Sequence, residues 1–136
     1  MIKNDAQRAR TLVQIEGFKK AITCLADEKS GRRSTAIRGS YEGMIRQLTD
    51  EVGEYDRLKS GKLALPPVQR LDQIAPFIAR IRIAKGISQT ELARRLGVSK
   101  QVISRYEESD YQTVAVARLQ EILDEIGIKT VVTLTA

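Results

Sequence analysis

Apolar positions recur three and four residues apart through most of the first sixty residues. Leu12, Ile15, Phe18, Ile22 and Leu25 fall on one stripe, which predicts an amphipathic helix over residues 5–25. Tyr41, Ile45, Leu48, Val52 and Tyr55 repeat the spacing and predict a second helix over 40–60, with a coiled-coil-like seam. Gly53 weakens that helix by about 1 kcal/mol relative to Ala without excluding it. Between the two, ADEKSGRRSTAIRGS (26–40) contains Gly31, Gly39 and three serines and keeps no period, so it reads as a polar connector. Each helix has a single apolar face, and the simplest packing is an antiparallel helical hairpin over residues 1–60, open to doubling by dimerisation or to binding a partner.

Ser60-Gly61 and Pro66-Pro67 cannot continue a helix, so 61–68 is a linker. Four short helical patterns follow within 69–127, at about 70–85, 88–96, 99–107 and 114–126. Pro76 delays the start of the first or kinks it, and Gly127 stops the last. The final segment, 128–136, contains IKTVVTLT, whose β-branched content reads as a strand. Ile128, Thr130, Val132 and Leu134 would share one of its faces. A lone strand leaves its backbone groups unpaired, so pairing with a symmetry mate is expected, giving a homodimer. The fold class is therefore mainly α, with one C-terminal strand paired across a dimer. The rival use of the strand is addition to the sheet edge of a partner.

The most informative stretch is SQTELARRLGVSKQVISRYEE, residues 88–108. Leu92 and Leu96 form a buried stripe, and Ala93 is small where two helices would cross closely. Gly97 follows the helix end, where a left-handed backbone costs glycine little. Val98 turns inward, Ser99 is placed to cap a second helix, and Ile103 and Tyr106 pack that helix down. Lys100, Gln101, Ser104 and Arg105 are left facing outward, and all can hydrogen-bond to base edges or phosphates.

With the preceding ARIRIAK, the run GISQTELARRLGVSKQVISRYE resembles the Xre family of Cro/lambda-repressor-like helix-turn-helix domains. The resemblance covers about residues 70–127 and implies a compact helical domain whose second motif helix enters the major groove. Carried onto this sequence, it places Gln89 at a phosphate and Lys100, Gln101, Ser104 and Arg105 at bases or adjacent phosphates; Arg94 and Arg95, on the outward side of the first motif helix, and Ser99 are also expected at phosphates. It also implies an internal ion pair between Arg82 and Glu107. The sequence departs from the family in Tyr106, where Trp is frequent, and in Pro76. Less specifically, Glu54-Tyr55 and Leu58-Lys59-Ser60-Gly61 resemble HigA-type antitoxins, which implies a toxin partner beside autoregulation of the operon.

Charge sharpens this reading. The chain of 136 residues has a net charge of +6, but the excess is not uniform. Residues 80–105 carry Arg80, Arg82, Lys85, Arg94, Arg95, Lys100 and Arg105 against Glu91 alone, while residues 106–136 are net acidic. A basic motif is the electrostatic footprint that double-stranded DNA requires. Arg32, Arg33 and Arg38 in the connector read as a soluble loop, the alternative being a phosphate-binding or minor-groove arm.

With no His and the single Cys24, neither a His/Cys zinc site, a Ser-His-Asp triad nor an internal disulfide can be built. The acidic run Asp50, Glu51, Glu54, Asp56 reads as a solvated helix face, and Cys24 as a small buried hydrophobe. No catalytic residue, cofactor or metal is assigned. Charges interrupt the apolar positions of the first 25 residues, and no stretch matches a membrane span. Neither a signal peptide nor membrane association is therefore expected, and the expected location is cytoplasmic. The leading reading is a sequence-specific DNA-binding transcriptional regulator, a dimeric repressor of a pseudo-palindromic operator. The alternative is an antitoxin that neutralises a toxin by direct binding.

Overall fold

A computed structural model describes residues 1–26 and 31–136, which divide into two compact units, Met1–Asp56 and Arg57–Ala136. In the first, α1 spans Asp5–Ala26 and α2 spans Arg32–Lys59. Asn4 starts α1: its side-chain Oδ1 accepts from the Gln7 amide at 2.8 Å, and Gln7 Oε1 accepts from the Lys3 amide at 2.8 Å. This reciprocal cap satisfies donors that a helix N-terminus otherwise leaves open.

The two helices run antiparallel, as the hairpin reading expects. Arg8 near the start of α1 holds Asp56 near the end of α2 with two bonds, 2.7 and 2.9 Å, and the Phe18 and Tyr41 rings meet at 5.5 Å. Ile2, Ile15, Val52 and Tyr55 are buried, while Phe18, Ile22, Leu25, Ile37, Tyr41, Ile45 and Leu48 are half-buried.

Three expectations in this unit are corrected. Leu12, expected on the apolar stripe of α1, is 38% exposed. Residues 32–40 are helical rather than connector; residues 27–30 of that segment lie outside the described residues. Ser34 and Ile37 extend the Tyr41 seam by two further turns, and each residue added to an existing helix gains a hydrogen bond. That outweighs a glycine penalty of about 1 kcal/mol. Cys24 is exposed, not buried. It lies two residues beyond Ile22, about 200° round the helix, and so points away from the apolar stripe.

The second unit takes in the last residues of α2 and the Ser60-Gly61 turn, then an irregular segment to two 3-10 turns, Leu71–Gln73 and Ala75–Phe77. α3 follows over Ile78–Ala84, α4 over Gln89–Leu96, α5 over Lys100–Glu108 and α6 over Val116–Glu125. The continuous helix predicted from residue 70 is thus delayed by Pro76, which has no amide to donate and sits in the first turn of the second 3-10 segment. Ile78, Leu92, Ile103, Tyr111 and Ile122 are wholly buried and form the core with Ile81, Ile83, Ala79, Ala93, Leu123 and Ile126. Each large apolar side chain removed from water contributes about 1.5–3 kcal/mol. α4 packs on both α5 and α6.

No strand occurs among the described residues. The predicted strand, 128–136, has no regular structure, with Ile128 and Thr130 half-buried and Val132 and Leu134 exposed. A single chain supplies no ladder partner for this segment, and period-two patterning alone cannot close a sheet.

Candidate nucleic-acid interface

α4 and α5 form the two arms of a helix-turn-helix. Ser88 caps α4 by accepting from the Glu91 amide at 3.0 Å, and Leu92 and Ala93 bury the inner face while Leu96 is half-buried. Gly97 ends the helix at φ +66°, ψ +30°. Its amide donates to the Arg94 carbonyl at 3.3 Å, and the Val98 amide to that of Ala93 at 3.0 Å. That pair of bonds requires a left-handed residue, which explains glycine here. Val98 is half-buried, consistent with an inward turn.

α5 opens at Ser99, whose backbone is extended (φ −77°, ψ 155°) as a cap position requires. The Ser99 side chain makes no capping bond, so its exposed hydroxyl remains available. Ile103 is fully buried and Tyr106 half-buried, which turns the opposite face outward. Lys100, Gln101 and Arg105 are exposed and Ser104 is half-buried. None of these four side chains takes part in a hydrogen bond or ion pair among the described residues. The face offers two cations, an amide that both donates and accepts, and a hydroxyl. These are the groups that read guanine and adenine edges.

Behind this face, Glu107 of α5 is wholly buried and accepts from Arg82 Nε at 2.6 Å and Arg82 Nη2 at 3.0 Å. The ion pair implied by the family resemblance is therefore present. Arg82 Nη1 also donates to the Ile87 carbonyl at 2.6 Å. Two further donors complete the Glu107 shell: Gln89 Nε2 at 2.7 Å and the Tyr111 hydroxyl at 3.2 Å. Burial, and then the charge of Glu107, raise the Tyr111 hydroxyl pKa far above its ordinary value, so it stays a proton donor.

Gln89 stands apart from the other residues assigned to phosphates. It is 4% exposed and turned inward onto Glu107. Burial in a satisfied polar cluster takes precedence here over the outward placement that a helix's first turn suggests. Tyr111 escapes the sequence reading altogether. It reaches Glu107 because Asp110 and Tyr111 both take positive φ, +48° and +59°, which residues with a Cβ seldom adopt and which no motif announces.

Arg94 and Arg95 lie on the outer side of α4 and share Glu91, Arg94 through bonds of 2.9 and 2.8 Å and Arg95 at 2.8 Å. First the Arg94 and then the Arg95 hydrogen bond lowers the Glu91 carboxyl pKa to about 2. Arg95 also donates to the Glu125 carbonyl, the last of α6, at 2.9 Å, and Lys85 to the Gly127 carbonyl, two residues beyond the helix, at 3.1 Å. Arg80 donates to the Pro76 carbonyl at 3.0 Å. The basic footprint of residues 80–105 is thus partly taken up by internal bonds, with Lys100 and Arg105 outside them.

In the other unit, Arg32, Arg33 and Arg38 lie on α2, and Arg38 pairs with Glu42 at 3.2 Å. No group of three or more acidic, Cys or His side chains placed to hold a metal ion occurs among the described residues. No helix among them is long and apolar enough to cross a membrane.

Residues 78–132 match the sequence model of a helix-turn-helix family. The match spans α3 to α6 and so includes both motif helices. Comparison with curated proteins and with solved structures finds no match.

Proposed function

We propose that this chain is a sequence-specific DNA-binding transcriptional regulator that lays α5 in the major groove. The carrying observation is the outer face of α5, where Lys100, Gln101 and Arg105 are exposed and have no hydrogen-bond or ion-pair partner among the described residues, while Ile103 and Glu107 anchor the inner face. Gln101 and Arg105 address base edges, Ser104 and Lys100 the bases or adjoining phosphates, and Arg94, Arg95 and Ser99 the backbone. The helix-turn-helix family match supports the same reading.

In this proposal the regulator is a homodimeric repressor. Val132 and Leu134, 65% and 91% exposed, leave one face of the C-terminal segment open and apolar, suited to pairing with a second copy. Two reading helices about 34 Å apart then call for a pseudo-palindromic operator.

Selection from random duplex DNA by the purified protein, followed by salt titration on the selected and on scrambled duplexes, tests this. The expected result is a palindromic site bound well above the scrambled control. Gln101→Ala and Arg105→Ala should each cost about 1–3 kcal/mol at that site and relax the preference at one base pair. Binding that is weak, equally salt-sensitive on both duplexes and blind to sequence would overturn the reading and turn the search to a protein partner.

A further inference from the structure

The Glu107 carboxylate accepts four hydrogen bonds from three directions: two from Arg82 on α3, one from Gln89 at the start of α4, and one from Tyr111 in the turn after α5. A carboxylate has about four acceptor sites, so this one is saturated. Arg82 alone would neutralise the charge. The Gln89 and Tyr111 bonds add something the ion pair lacks, because a single planar fork restrains the carboxylate in one plane and leaves rotation about the fork axis less restricted. Donors arriving from α4 and from the following turn remove that freedom.

The groups at stake lie close by on the same rigid helix. Arg105 is two residues and Gln101 six residues from Glu107, within two turns. At the other end of α5 the Ser99 side chain makes no capping bond, so its tilt rests on the packed side, where Ile103 and Glu107 are buried and Tyr106 half-buried. Tyr111 reaches its place only through two successive left-handed residues, a backbone held against its own preference.

We infer that Gln89 and Tyr111 are positioning residues for the reading helix: acting through Glu107, they set the angle at which Gln101 and Arg105 meet the groove. This rests on the DNA-reading proposal above. It assigns Gln89 a part in specificity, in place of a phosphate contact.

The test uses the full chain as Gln89→Met, which keeps length and volume but removes the donor, and as Tyr111→Phe, which removes one oxygen. Affinity for the selected and scrambled duplexes, the salt slope and thermal unfolding are measured for each. The expected result is an unchanged scrambled-site affinity and salt slope, with preference for the selected site reduced about tenfold, the scale of one misplaced base contact. If Gln89→Met weakens both duplexes equally and flattens the salt slope, Gln89 is a phosphate ligand and the inference fails. Lowered unfolding temperature with undiminished preference in both variants also overturns it, leaving a purely structural cluster. Should Gln89→Met not fold, Tyr111→Phe decides alone by the same criteria. A wild-type protein without sequence preference removes the DNA-reading proposal itself, whereas wild-type preference retained in both variants removes this inference only.

Discussion

Arg82 and Glu107 lie 25 residues apart in the chain and meet as a two-bond ion pair with side chains 3% and 0% exposed. Two charges withdrawn so completely from water owe their stability to each other and to the surrounding donors. Removing one partner strands the other: Arg82→Met or Glu107→Leu alone should destabilise the protein by roughly 3–5 kcal/mol, while the double replacement should cost much less than the sum. Denaturant unfolding of the two single variants and the double variant measures this coupling directly. Additive losses would show that the pair does not act as a unit.

Glu91 sits between Arg94 and Arg95, and its carboxyl pKa is lowered from 4.5 to about 2. The folded state therefore binds that proton less readily than the unfolded chain. Whatever the cluster contributes to stability is fully present above about pH 4.5 and is lost as pH falls towards 2. Carbon-detected NMR titration of the Glu91 carboxyl should give a midpoint near 2, and a midpoint above 4 would show that the arginines do not hold it in solution. In the proposed complex Arg94 and Arg95 meet the DNA backbone, where Glu91 would compete with phosphate for their guanidinium groups, so Glu91→Gln should strengthen binding to all duplexes alike and leave sequence preference unchanged.

Gly97 has φ +66°, and a Cβ built there meets nothing within 4 Å. Gly97→Ala should therefore lose stability for backbone reasons alone, by about 1–2 kcal/mol, with no additional steric penalty. Gly97→Asn should lose less, since Asn tolerates the left-handed region. Urea midpoints of the two variants should fall in that order, with Ala the less stable. The reverse order would place the penalty in packing instead.

Deleting residues 128–136 should leave the helix-turn-helix folded, since none of its wholly buried residues lies in that segment. The truncated protein should run as a monomer in light scattering if the C-terminal segment pairs two copies. A dimer of unchanged stability would transfer that role to the helices of the N-terminal unit.

Local patterns make the helix-turn-helix motif legible in the amino-acid sequence. Gly97 and Ser99 mark helix ends by their own backbone and capping preferences, and the spacing of Leu92, Ala93 and Ile103 marks the faces that become buried. Pro76 likewise forecasts the late start of α3, because its missing amide is a property of one residue. The antiparallel hairpin follows from two seams, each needing a single partner.

Other features depend on neighbours that are remote in the chain. The helical state of residues 32–40 is decided by the seam they extend rather than by their glycines and serines. Family resemblance implies the pairing of Arg82 with Glu107, but not the inward turn of Gln89 or the entry of Tyr111. Those two arise only when α3, α4 and the turn after α5 converge on one carboxylate. The sum of charges over residues 80–105 does not distinguish cations tied to carbonyls and to Glu91 from Lys100 and Arg105, which face outward. Short-range preferences are carried by each residue and its immediate neighbours, so a sequence displays them. The satisfaction of a buried polar group depends on which distant donors the packed core brings within about 3 Å, and that is settled only in three dimensions.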